Sequence, residues 1–188
     1  LALHQADKLF YTTPIKALSN QKYRDFCARW GKDNVGLLTG DQSINGDAPV
    51  VVVTTEVLRN MLYAESPTLH KLRYVVMDEV HYLSDAFRGA VWEEVILSLP
   101  NTVQLIALSA TIGNTTEFAN WISAVVGPTS VVTTDFRPVP LTANVLVNST
   151  IYPLLNKSGN DVSRHLHNRV DRILHTPSHH ERFPNRVR

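Results

Sequence analysis

One cysteine, Cys27, in 188 residues leaves no intramolecular disulfide to form. This excludes a disulfide-stapled secreted module and suits a reducing compartment, with the cytoplasm as the expected location. No run approaches eighteen consecutive apolar residues, and Leu1 to Asp7 carry neither a basic n-region nor a cleavage site. Neither a membrane-spanning helix nor a secretory leader is therefore expected, and no membrane partner. Internal repeats and low-complexity tracts are also missing. So is any Gly-x-x-x-x-Gly-Lys-Ser/Thr segment: in the single Gly-Lys pair, Gly31-Lys32, Asp33 follows and Phe26 stands where the first glycine belongs. The sequence thus lacks the glycine-rich loop that cradles nucleotide phosphates.

What is present is the composition of a globular domain, 44% hydrophobic and 19% charged, long enough for one sizeable core. The net charge of +1 hides an asymmetry, for residues 1–149 carry eleven Lys and Arg against fourteen Asp and Glu, and 150–188 seven against three. A basic tail on an acidic body attracts polyanions, or is simply a solvated extension.

Short β-branched runs alternate with segments of helical period, the pattern of βαβ units around a parallel sheet. Strands are expected at Lys8–Thr12, Val35–Leu38, Val50–Thr54, Tyr74–Asp78, Val103–Ser109 and Ser130–Thr134. Four helical stripes cover them: Ile15, Leu18, Phe26 and Trp30; Val57, Leu58, Met61 and Leu62; Val91, Trp92, Val95, Ile96 and Leu99; Phe118, Trp121, Ile122 and Val125. Thr13 and Pro14 read as the N-cap and first-turn proline of the first helix, while Pro100 and the Gly127-Pro128 pair stop the last two. One domain plus a tail follows from this pattern, a sheet domain over 1–149 and a linker or poorly ordered basic extension over 150–188. The latter holds five of the eight histidines.

The sharpest chemical signal is Tyr74-Val-Val-Met-Asp78-Glu79-Val80-His81, an apolar strand ending in two carboxylates and, two residues on, an imidazole. Ligands of open parallel sheets bind outside the carboxyl ends of the strands. Asp78 would there hold Mg²⁺ through water, and Glu79 would orient or deprotonate an attacking water. A bare acidic pair also suits an ordinary helix N-terminus, and Asp78, Glu79 and His81 could instead belong to a metal-dependent hydrolase, though no second ligand cluster has convincing spacing. A second signal, Leu108-Ser109-Ala110-Thr111, puts hydroxyls at the end of another strand, within reach of His81 or as simple turn caps.

Several segments occur in one order: Thr13-Pro-Ile-Lys-Ala-Leu-Ser-Asn-Gln-Lys-Tyr23, Thr39-Gly-Asp41, Thr54-Thr-Glu-Val-Leu58, Asp78-Glu-Val-His81 and Ser109-Ala-Thr111. Phe87-Arg-Gly-Ala-Val-Trp-Glu-Glu94 and Phe136-Arg-Pro-Val-Pro-Leu141 follow the same pattern. Over roughly residues 1–150 the chain resembles the first RecA-like domain of superfamily-two DExH helicases of the superkiller type. That family includes exosome-associated RNA helicases and their actinobacterial relatives.

The resemblance implies an α/β RecA-like P-loop NTPase fold without its P-loop strand, with ATP and Mg²⁺ as cofactors. It gives Asp78 the Mg²⁺ role, Glu79 the catalytic water, and His81, Ser109 and Thr111 the coupling of nucleotide state to strand movement. Pro14, Lys16, Gly40, Thr55 and Glu56 fall in segments that grip a nucleic-acid backbone, which amides, hydroxyls and a lysine do without reading sequence. Arg88 and Arg137 are further candidates, or structural salt bridges. The implied function is ATP-driven translocation and unwinding on single-stranded or partly duplex nucleic acid, RNA favoured over DNA, within an RNA-degradation complex. In the family the P-loop precedes the first of these segments. The chain is therefore expected to be an internal piece, inactive as an ATPase alone and with a raw sheet edge where the P-loop strand would pair. A non-catalytic nucleic-acid-binding scaffold remains the alternative.

Overall fold

The computed structural model describes residues 7–110, 114–134, 136, 138–139, 141–156, 158–159 and 161–175. The chain forms two compact units that divide between Val132 and Thr133.

The first unit is built on a six-stranded sheet. Its strands are β1 (Lys8–Thr13), β2 (Val35–Leu38), β3 (Ser43–Ile44), β4 (Val50–Thr54), β5 (Leu72–Met77) and β6 (Gln104–Ala107), in the spatial order β3-β2-β4-β1-β5-β6. All neighbours are parallel except the antiparallel pair β2–β3. Helices α1 (Lys16–Trp30), α2 (Thr55–Tyr63), α3 (Gly89–Ser98) and α4 (Thr115–Val126) complete it. This is the α/β arrangement that the alternating sequence pattern implies, and it fits the RecA-like fold implied by the resemblance.

A strand covered on both faces needs apolar side chains at consecutive positions, not alternate ones, and β4 supplies Val50, Val51, Val52 and Val53, all buried. Phe10, Val51, Val53, Val75 and Met77 pack on one face with Leu58 of α2, Trp92, Val95 and Ile96 of α3, and Ile122 of α4. Helix α1 lies against β1, β2 and β4, with the Tyr11 and Phe26 rings edge-to-face at 5.2 Å.

Three expectations need correction here. The residue of α1 that is fully buried is Ser19, and Ile15 is exposed. Thr13 does not cap the helix either. The helix begins at Lys16, and the Thr13 hydroxyl turns inward to the Ile15 carbonyl (3.2 Å) and Ser19 Oγ (2.6 Å). Finally, Ser130–Thr134 forms no strand, because a β pattern becomes a strand only beside a partner; Val131 and Val132 are exposed. Sheet edge β6 is likewise thinly covered, with Ile106 and Leu108 exposed.

The second unit includes part of the stretch over 150–188 that the sequence suggested as a linker or poorly ordered extension. Strands β7 (Asn144–Val147) and β8 (Thr150–Pro153) form an antiparallel hairpin that crosses the domain boundary expected after Ser149, and α5 (Arg164–His175) follows.

Candidate nucleotide and nucleic-acid site

Pairing continues past the end of β5. The Asp78 N–H donates to the Thr12 carbonyl (3.1 Å) and the Val80 N–H to the Leu108 carbonyl (2.9 Å). The Asp78 side chain, 18% exposed, is therefore anchored at the carboxyl edge of the sheet, between β1 and β6. Its Oδ1 accepts the Glu79 N–H at 3.0 Å and its Oδ2 the Tyr11 hydroxyl at 2.6 Å. Lys22 Nζ stands 3.7 Å from Oδ2 and 5.3 Å from the Tyr11 ring centre. Burial, and then the bond to Asp78, push the Tyr11 phenol well above its ordinary range, so it stays a donor at working pH.

Glu79 follows in the left-handed region, φ 56° and ψ 41°, a conformation that costs a non-glycine residue on the order of 1 to 2 kcal/mol. Such strain persists where the surroundings enforce it. Here Val80 is buried, and Tyr82 stacks on Trp92 with ring centres 6.5 Å apart. Behind the turn, a Cβ on Gly89 would lie 2.3 Å from the Leu83 carbonyl oxygen, so only glycine lets α3 start this close. His81 Nδ1 is 3.3 Å from Glu79 Oε2 but off hydrogen-bonding geometry, and it has no hydrogen-bond partner among the described residues.

The β5–β6 register pairs Met77 with Ala107. Ser109, two residues past Ala107, thus belongs to the same edge as Asp78 and Glu79; Thr111 and Arg137 lie outside the described residues. Among the described residues no three His, Cys, Asp or Glu side chains converge as a metal site. Asp78 fits Mg²⁺ in the other manner, through water, since Oδ1 keeps acceptor capacity beyond its one bond.

The same edge carries a cleft of ≈ 390 Å³, lined by Pro14, Lys16, Gly40, Glu56, Asn60 and Arg88 among others. Four of the five candidate backbone-gripping residues thus come together from the ends of β1, β2 and β4. The fifth, Thr55, does not: it is buried and its hydroxyl donates to the Thr13 carbonyl at 3.3 Å, tying α2 to β1. A Cβ on Gly40 would meet nothing within 4 Å, so this wall of the cleft is open to a close-approaching ligand. Lys16 is ion-paired with Asp41, which also accepts the Thr39 hydroxyl at 3.0 Å. Both bonds hold the Asp41 carboxyl below its usual range. Arg88 is exposed beside the cleft. Sequence reasoning missed Tyr11, Lys22 and Asn60; Asn60 could have been found from its place one helical turn after Glu56.

The family model of the DEAD/DEAH box helicases matches residues 2–118. The chain belongs to this family. Relatives include "Probable helicase HelY" of Mycobacterium tuberculosis (strain ATCC 25618 / H37Rv), 61% identical over 156 residues, covering 83% of this chain and 17% of the relative. "DExH-box ATP-dependent RNA helicase DExH15 chloroplastic" of Arabidopsis thaliana is 54% identical over 165 residues, covering 85% of this chain and 14% of the relative. "Antiviral helicase SKI2" of Saccharomyces cerevisiae (strain ATCC 204508 / S288c) is 47% identical over 159 residues, covering 84% and 12%. This DEAD/DEAH box chain thus spans less than a fifth of the length of these helicases.

Proposed function

We propose that the whole protein is an ATP-dependent helicase that translocates along nucleic acid, RNA in preference to DNA, and unwinds duplex ahead of it. The observation that carries this reading is one sheet edge holding both an anchored acidic pair, Asp78 and Glu79, and an open cleft with Lys16 and Arg88 at it. The preference for RNA follows the relative named an RNA helicase. An RNA-degradation assembly is the partner that fits the superkiller-type resemblance.

In this reading Asp78 would hold Mg²⁺ and Glu79 would align a water for in-line attack on the terminal phosphate. Bound Mg²⁺ would neutralise charge developing on the phosphate oxygens. His81, Ser109 and Thr111 carry the change in nucleotide state to the strand-gripping side. Pro14, Lys16, Gly40 and Glu56 line the groove for one strand, joined by Arg88, already a candidate from the sequence, and by Asn60, while Thr55 holds α2 in register beneath them. The sequence contains no P-loop, so the chain alone supplies no phosphate cradle and is expected to hydrolyse nothing.

The test is phosphate release by the whole protein with single-stranded RNA, single-stranded DNA or neither. Stimulation by RNA that disappears in Asp78→Asn and Glu79→Gln is expected, with no release from the isolated chain. Absence of nucleic-acid stimulation in the whole protein, or full activity in Glu79→Gln, would overturn the proposal.

A further inference from the structure

We propose that Tyr11 and Lys22 are positioning residues that set the Mg²⁺ affinity of Asp78 in opposite senses, Tyr11 by fixing the carboxylate and Lys22 by offsetting its charge. The inference rests on the reading of Asp78 as the Mg²⁺ carboxylate.

The terminal torsion of an aspartate is broad, whereas a water-mediated contact to a cation needs an oxygen held in one place. Two bonds supply that hold here. The Glu79 N–H takes one lone pair of Oδ1 and the Tyr11 hydroxyl one lone pair of Oδ2, and together they fix the carboxylate plane. The phenol is itself held, since Tyr11 is 8% exposed, its ring meets Phe26 edge-on, and Phe26 rests on Trp30 with ring centres 4.8 Å apart. The parallel register pairs Tyr11 with Val76, two residues before Asp78, so the hydroxyl comes from the neighbouring strand and does not depend on the turn at Glu79.

Lys22 acts differently. At 3.7 Å from Oδ2 its ammonium is beyond a direct hydrogen bond but well inside the range of unscreened attraction. It stabilises the carboxylate when no cation is bound, and it repels a divalent cation that approaches the same group. Each carboxylate oxygen keeps acceptor capacity beyond its one bond, and Oδ2 is the one beside Lys22. A merely structural Tyr–Lys–Asp cluster predicts that losing any member loosens the site and weakens metal binding. The division of labour predicts opposite signs.

The whole protein, with a non-hydrolysable ATP analogue, is titrated with Mn²⁺ and free ion is read by electron paramagnetic resonance; the Mg²⁺ concentration for half-maximal turnover is the companion readout. Tyr11→Phe should weaken Mn²⁺ binding about tenfold, the lower end for a lost outer-sphere partner. Lys22→Met should tighten it roughly threefold by removing a like charge, Lys22→Arg should restore the parent value, and RNA affinity should not change in any of them. If both Tyr11→Phe and Lys22→Met weaken binding, or neither moves it, while Asp78→Asn abolishes it, the inference is overturned and the reading of Asp78 stands. If Asp78→Asn leaves metal binding intact, that reading fails and the inference falls with it. Should Tyr11→Phe fold poorly by circular dichroism, the half-exposed Lys22 position decides the matter, since tightening there cannot come from a damaged fold.

Discussion

Lys16 enters the cleft already engaged, and that sets a measurable cost on binding. Its ammonium is ion-paired with Asp41, and the two side chains are 45% and 61% exposed, so a phosphate that takes Lys16 must first displace a carboxylate that water already screens. Exposed pairs of this kind are weak, and releasing one changes an equilibrium by about two- to fivefold. Asp41→Asn keeps an oxygen to accept the Thr39 hydroxyl, now at 3.0 Å, and so removes the charge while sparing the loop. Binding of a labelled single-stranded RNA to the whole protein, followed by fluorescence anisotropy without nucleotide, should therefore tighten by about that factor at moderate salt. The slope of log affinity against log salt should hardly change, because the same phosphate contact is made in both proteins. Lys16→Ala should instead weaken binding and flatten the slope by about 0.7, the loss of one phosphate contact to a single strand. Unchanged or weaker binding in Asp41→Asn would refute the competition and leave Asp41 as a loop-holding residue alone.

Three further outcomes follow from the same geometry. Gly89→Ala should destabilise the isolated chain by about 2 kcal/mol or more in urea denaturation, because a backbone carbonyl at 2.3 Å from the new Cβ cannot swing aside; a change under 0.5 kcal/mol would show that α3 shifts freely. Thr12→Val should stabilise it by about 1 kcal/mol, since the fully buried Thr12 hydroxyl has no partner among the described residues and a methyl group removes its desolvation cost. Asp85 accepts the N–H groups of Phe87 and Arg88, both at 2.9 Å, and these hold its carboxyl below the ordinary 3.8. A depressed folded value means stabilisation that is present above about pH 4 and lost as pH falls through the folded value. Asp85→Asn should lose that part of the acid sensitivity, and parallel pH–stability curves for the two proteins below pH 4 would count against it.

How far the sequence could be read depended on whether a feature needed only neighbours in the chain. Val50–Thr54 was legible to the residue because four consecutive valines fit a strand covered on both faces and little else. Ser130–Thr134 carries a similar pattern but has no strand beside it. The hairpin β7–β8 escaped notice because its turn, Asn148-Ser149, lacks the usual glycine, yet both residues take positive φ, 45° and 63°; an Asn at the first position was the available signal. The acidic pair was legible because strand end and carboxylates are adjacent. Its partner Tyr11 lies 67 residues away and is brought to Asp78 by parallel register, which no local pattern encodes. Thr55 is the opposite case, a motif position whose hydroxyl is bonded within the fold, to the Thr13 carbonyl.

The two halves of the site are joined by one helix. Lys16 opens α1 at the cleft, and Lys22, six residues on and therefore about 9 Å along the axis, faces Asp78. This helix buries one residue completely, Ser19, where α3 buries Gly89, Trp92, Val95 and Ile96. Area removed from water is the main source of anchoring, so by complete burial α1 is anchored less than α3. A ligand on Lys16 would thus load the helix that also carries Lys22, the ammonium beside Asp78.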